Sequence, residues 1–187
     1  MRPHLPIFRD EDEANAAYIA CGKLAIYWGH VELAMESIIL ILRNRQRAPV
    51  VGRAFVDFPV SFSKKKREIK ARMKSDPLFA DQRNQTSATL ANATAAHEVR
   101  VIVMHSICQG TNLKGDLMFG HSDQKRGVSY TPKTLSLKRI NAASDLMLAL
   151  QVDLAAMFSE MQRRWLAPGA PPYVPASPRN HPLAVRE

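Results

Sequence analysis

A chain of 187 residues, 46% hydrophobic and 23% charged, has the length of one domain and enough apolar mass to bury a core, which excludes wholesale disorder. Its 26 Lys and Arg against 17 Asp and Glu leave a net charge of +9, a balance that favours polyanionic partners. Cys21 and Cys108 are too few for a disulfide framework and lack the C-x-x-C spacing of a zinc ribbon, which fits a reducing compartment.

The N-terminus, MRPHLPIFRDEDE, is too charged for a secretory signal. The longest unbroken aliphatic run, Ile38 to Leu42, is far shorter than the roughly 20 residues of a membrane helix. A cytoplasmic protein with no membrane partner is the expectation. From Glu11 to Arg45 the apolar residues recur at helical spacing: Cys21, Trp28, Met35 and Leu42 lie seven apart, with Leu24, Val31 and Ile38 interleaved. This predicts one long amphipathic helix, opened by the acidic run Asp10 to Glu13, which suits the positive end of the helix dipole. Gly22 and Gly29 inside it each cost about 1 kcal/mol relative to Ala and suggest a close helix approach.

Pro49, Gly52 and Pro59 mark Gln46 to Phe62 as a connection. Ser63 is then expected to cap a short basic helix, KKKREIKARMK, ended by Asp76-Pro77. A third helix is expected from Asp81 to Gln109, with Leu90, Thr94, His97, Val101, Met104 and Cys108 along one stripe and Gly110 closing it. Gly110 to Thr131 holds four of the eight glycines, and the alternating Leu117/Phe119 and Val128/Tyr130 predict a small β-hairpin. Pro132 is expected to open a last helix from Lys133 to about Leu166, its apolar face carrying Leu135, Ile140, Leu146, Leu150, Leu154, Met157, Phe158 and Met161. Beyond Ala167 the chain is proline-rich and is expected to be a disordered or partner-bound tail. The fold class that follows is all-α: an up-and-down bundle of four to five helices with a small β-hairpin inserted between the third and last long helices. Residues 1–10 form an N-terminal extension, 11–166 the bundle and 167–187 the tail.

The charge is localised. Between Arg43 and Lys74 there are eleven basic residues against Asp57 and Glu68, an excess equal to the net charge of the whole chain. Lys64, Lys65, Lys66, Arg67 and Lys70 are the candidate contacts to an RNA backbone. A solvated basic face or an acidic protein partner would use the same residues. Only Phe55, Phe58 and Phe62 interleave with them, so base stacking is not indicated.

Chemistry-bearing patterns are few. Six histidines are present, none in H-E-x-x-H, and neither a Walker loop nor a G-x-G-x-x-G occurs. No metal and no cofactor is expected. His121-Ser122-Asp123 reads as a hairpin turn, because triads are assembled in space. The segment HEVRVIVMHSICQG is different: it sets Arg100 and His105, with Glu98 nearby, in apolar company at a helix C-terminus. An arginine to hold a phosphate and a histidine to move a proton suffice for cleavage of RNA by its own 2′-OH. Five residues apart is about 140° around a helix, so the two converge only if the helix end unwinds or if two subunits each supply a motif. Alternatively, Arg100 pairs with Glu32 at the margin of the first helix's stripe and His105 is structural.

Arg100-Val-Ile-Val-Met-His105 resembles the R-x(4–6)-H motif of HEPN domains (higher eukaryotes and prokaryotes nucleotide-binding). WGHVELAMESI and SFSKKKREIKARM are similar to the first and the basic second helix of bacterial HEPN-like proteins. The resemblance covers roughly Ala14 to Leu166. It implies a homodimeric, metal-independent ribonuclease of a toxin–antitoxin or defence system, with an antitoxin partner. By the same resemblance Arg100 and His105 form the catalytic pair at a dimer seam, and Glu32 or Glu98 orients it. Val101 and Ser106 stand where the motif commonly has Asn or Asp and Gly, which fits the alternative of a non-catalytic dimerisation or RNA-binding module.

Overall fold

The first helix starts where the charges place it. The Asp10 carboxylate accepts the Glu13 N–H at 2.8 Å, and three acidic residues fill the first turn of α1 (Glu11–Gln46). In this computed structural model, residues 7–46, 58–122 and 130–171 are described. After α1 come α2 (Phe62–Ser75), a short 3-10 turn (Pro77–Gln82), α3 (Arg83–His105), β1 (Ile107–Thr111), β2 (Leu117–Ser122), β3 (Tyr130–Leu135) and α4 (Leu137–Leu166). The fold is mostly helical, with a small antiparallel β insertion between the third and fourth helices. The chain divides into two compact units, Met1–His30 with Asn92–Leu150 and Val31–Ala91 with Gln151–Glu187.

In the first unit, Leu24 and Trp28 of α1, Ala93 and Ala96 of α3 and Ile140 and Met147 of α4 are buried, as are Leu117 and Phe119 of β2. The insertion has three strands in the order β1-β2-β3, one more than the predicted hairpin. Helix α3 stops at His105, and Ile107, Cys108 and Gln109, read as helical, are strand. The stripe therefore fails at its end: Leu90 is buried as expected, but Met104 is 45% exposed, and Ala93, Ala96 and Val99 are buried outside it. Pro132 belongs to β3, opposite Gly120, where the edge of a sheet tolerates a residue without an N–H. The last helix consequently starts at Leu137, with the Ser136 hydroxyl accepting the Arg139 N–H, and Leu135 is a buried strand residue. His121 and Ser122 close β2, while Asp123 and Val128 lie outside the described residues.

Gly110 closes no helix. It has φ +105° at a register shift in β1, where Ile7 passes alongside, its N–H bound to the Gln109 carbonyl and its carbonyl to the Thr111 N–H. A Cβ at Gly110 would overlap the Ile7 carbonyl. Gly110→Ala is therefore expected to lower stability by about 1–3 kcal/mol. Urea unfolding with an unchanged midpoint would refute that.

In the second unit, Met35, Ile38 and Leu42 of α1 and Leu154, Met157 and Met161 of α4 are core, as their spacing predicts, together with Ile69 and Met73 of α2 and Phe79. The cap of α2 is Ser61, which accepts from the Lys64 N–H. Ser63 is already inside the helix, because the buried Phe62 opens it. Most of the predicted connection from Gln46 to Phe62, and the tail beyond Pro171, lie outside the described residues.

By length and composition α1 and α4 could each cross a membrane. An unbroken aliphatic run is too strict a test, since a spanning window admits Gly, Ala and Trp. The core helix of a water-soluble domain passes the same test, and both helices contribute core residues here. The close approach suggested by Gly22 and Gly29 is not found among the described residues: a Cβ at either would meet none of their atoms within 4 Å. Each change to Ala is expected to raise stability by about 0.5–1 kcal/mol. A lower melting temperature in either variant would show that the glycine is needed for packing.

Candidate functional site

The apolar run VIVM carries α3 to its last residue, and the chain turns into β1 after a single residue, Ser106. His105 therefore occupies the helix C-terminus, where the carbonyl ends favour a cation or an N–H donor. Its ring meets the side chain of Arg100: Nη1 of Arg100 and Nε2 of His105 are 2.8 Å apart. The convergence occurs within one chain. Both residues lie within α3, so the helix does not unwind between them; the long arginine side chain spans the separation of about 140°.

Hydrogen-bond chemistry fixes the roles. A guanidinium has only N–H groups to offer, so Nε2 of His105 accepts and the imidazole proton sits on Nδ1. His105 is exposed and Arg100 half-buried. The Arg100 guanidinium lies 5.7 Å from the Trp28 ring centroid, a cation–π distance, and Trp28 is 2% exposed. The His97 ring is 5.0 Å from the same indole, at 48° to it. A buried aromatic ring thus holds the guanidinium in place beside an exposed imidazole. Nε of Arg100 and Oγ of Ser106 are buried without a hydrogen-bond partner among the described residues, which leaves donors unused at the site.

Trp28 and His97 join the site in addition to the residues that the sequence singles out. The i, i+3 spacing of His97 and Arg100 on α3 was the available signal, but it could not say that the indole faces them. Of the supporting carboxylates, Glu32 belongs to the second unit and Glu98 to the first. Glu32 lies 3.6 Å from the Lys65 ammonium. Glu98 is exposed and forms no ion pair among the described residues. No group of three or more His, Cys, Asp or Glu side chains among the described residues is arranged to hold a metal.

The basic region sorts into two sets, both in the second unit. Arg43 grips Glu68 with two hydrogen bonds, of 2.6 and 3.0 Å, and Arg72 reaches the same carboxylate at 2.8 Å. Arg45 binds Asp76 at 2.7 Å, and Lys65 binds Glu36 at 2.6 Å. These four cations are buried. Lys65 is accordingly removed from the candidate RNA contacts, because its ammonium is already neutralised under the surface. Lys64, Arg67, Lys70 and Lys74 are exposed and have no ion pair among the described residues. Their 3-3-4 spacing puts them on one side of α2 along about 15 Å. Lys66 is half-buried over the Phe62 ring, 5.5 Å from its centroid, so its stem packs while its charge stays near the surface.

No protein-family model, no curated protein and no solved structure matches this chain.

Proposed function

We propose that the chain is a HEPN-type, metal-independent endoribonuclease, acting as a cytoplasmic homodimer in a toxin–antitoxin or defence system, with an antitoxin as a second protein partner. The observation that carries this reading is the 2.8 Å contact between Arg100 and His105. An RNA phosphate competes for the guanidinium, and as Arg100 turns to it the Nε2 lone pair of His105 is released as a base. The 2′-oxygen then bonds to its own phosphorus as His105 takes the proton. The bond from phosphorus to the 5′-oxygen breaks, and that oxygen takes the proton held on His105, leaving a 2′,3′-cyclic phosphate, a 5′-hydroxyl and a neutral imidazole. Arg100 offsets the charge that develops on the phosphoryl oxygens, and Lys64, Lys66, Arg67 and Lys70 hold the backbone. Ile19 and Ile26, 58% and 62% exposed on α1, support a second copy of the chain as partner.

The rival reading is a non-catalytic RNA-binding or dimerisation module, favoured by the same contact seen differently: the lone pair that a base needs is occupied. Incubation with RNA in excess EDTA separates the two. Cyclic-phosphate ends accumulating in EDTA are the expected result. Salt-sensitive binding without any cyclic phosphate would leave the module as the better reading, and cleavage abolished by EDTA would overturn the proposed chemistry.

A further inference from the structure

The second unit contains a cavity of about 260 Å³ lined by Lys70, Met73, Lys74, Arg83, Thr86 and Ser87. Its walls are the C-terminal half of α2 and the first turn and a half of α3. Arg83, the first residue of α3, is fixed there: its Nε donates to the Met73 carbonyl at 3.0 Å and one terminal nitrogen to the Lys74 carbonyl at 2.9 Å. It thereby caps the end of α2 and keeps its other terminal nitrogen without a partner among the described residues. Lys70 and Lys74, one helical turn apart and exposed, are likewise in no ion pair among the described residues. The contrast with the rest of the region is informative, since Lys65, Arg72, Arg43 and Arg45 each have a carboxylate at hand. Among the described residues no carboxylate lines the cavity.

The remaining lining adds two features. Ser87 is exposed and offers a hydroxyl. Met73 and Thr86, each 2% exposed, form a floor from which no charge projects, since the Thr86 hydroxyl is spent on the Gln82 carbonyl at 2.8 Å. Two ammonium groups, a guanidinium immobilised by two hydrogen bonds and a hydroxyl around an apolar floor fit a doubly charged oxyanion joined to a small uncharged group. The volume is just below the range of about 300–1,000 Å³ of small-molecule sites. It suits one phosphoryl group with a sugar-sized attachment and is small for a dinucleotide.

We infer that the cavity between α2 and α3 binds a phosphomonoester, either a free nucleoside monophosphate or the phosphorylated end of an RNA strand. The site requires no cleavage chemistry, so it stands or falls independently of the ribonuclease reading.

Calorimetric titration of the full chain with 5′-AMP and with adenosine tests it. AMP is expected to bind at least about tenfold more tightly than adenosine. The double variant Lys70→Gln/Lys74→Gln is expected to lose about tenfold or more of the AMP affinity. Lys138→Gln/Arg139→Gln, which removes the same charge from exposed residues of α4, is expected to retain it. Two 10-mer RNAs that differ only in a 5′-phosphate identify the source. Tighter binding of the phosphorylated strand supports the site with an RNA end as ligand; equal binding of the two strands beside tight AMP binding supports it with a free nucleotide. Equal affinity for AMP and adenosine, or equal losses in the two double variants, overturns the inference.

Discussion

His105→Ala is expected to lower RNA cleavage by about 10²- to 10⁴-fold, the usual contribution of a positioned general base or acid, while RNA affinity stays close to that of the unmodified chain. The separation follows from the placement of the residues: His105 is an exposed helix-terminal side chain whose described contact is Arg100, and the exposed cations of α2 are elsewhere in the sequence. Arg100→Lys keeps a positive charge but loses the planar fork, and its expected loss is about 10²- to 10³-fold. A lysine also cannot reproduce the contact of the guanidinium with Trp28 and with His105 together. Initial rates of cyclic-phosphate formation measure both effects. A lysine variant as active as the unmodified chain would mean that charge alone is needed and that the bidentate geometry is irrelevant.

Glu68→Gln is expected to destabilise the fold by about 3–5 kcal/mol. Arg43 and Arg72, 9% and 3% exposed, converge on that one carboxylate. Without it, two guanidiniums are left in a poorly hydrated place with their mutual repulsion uncompensated. Removing the whole cluster is a different experiment: Met at 43, 68 and 72 together is expected to recover most of the loss, since apolar groups of similar volume need no partner. The midpoint of urea denaturation decides both. A Glu68→Gln variant within about 1 kcal/mol of the unmodified chain would show that the cluster is hydrated and weak.

The same carboxylate sets a pH dependence. Burial alone would push Glu68 up, but hydrogen bonds from Arg43 and Arg72 hold it below the ordinary value of about 4.5. Glu160, hydrogen-bonded by Arg163 and Arg164, is held down to about 2, and Glu13, bound by Arg9, likewise to about 2. A carboxylate depressed in the folded state contributes stability that is complete above its unfolded value and lost as pH falls through its folded value. Acid sensitivity is therefore expected to develop between about pH 4.5 and about 2, with little change from pH 5 to 8.

The helices were legible because their signal is periodic. The seven-residue spacing of Trp28, Met35 and Leu42 places α1 to within a residue at its C-terminal end. Asp76-Pro77 likewise marks the end of α2. What was not legible depended on partners distant in the chain. VIVMHSIC reads as a continuous apolar helix, and only pairing with Leu117 to Gly120 makes its end a strand. Pro132, a helix opener by local preference, is held in a strand by its register with Gly120. For the site, residue types and spacing singled out Arg100 and His105, but not that the two side chains would touch within one intact helix. Trp28 was visible as a core residue and not as the platform under the guanidinium. The burial of Lys65 against Glu36 could not be read at all, since α1 and α2 are joined by a connection without a pattern.

The most direct measurement of the central claim is product analysis by mass spectrometry of one RNA incubated with the unmodified chain and with His105→Ala, in excess EDTA, after circular dichroism has shown equal helicity. The expected result is 2′,3′-cyclic phosphate and 5′-hydroxyl ends from the unmodified chain and at most about one hundredth of that yield from the variant. Equal yields of those ends from both proteins would contradict it.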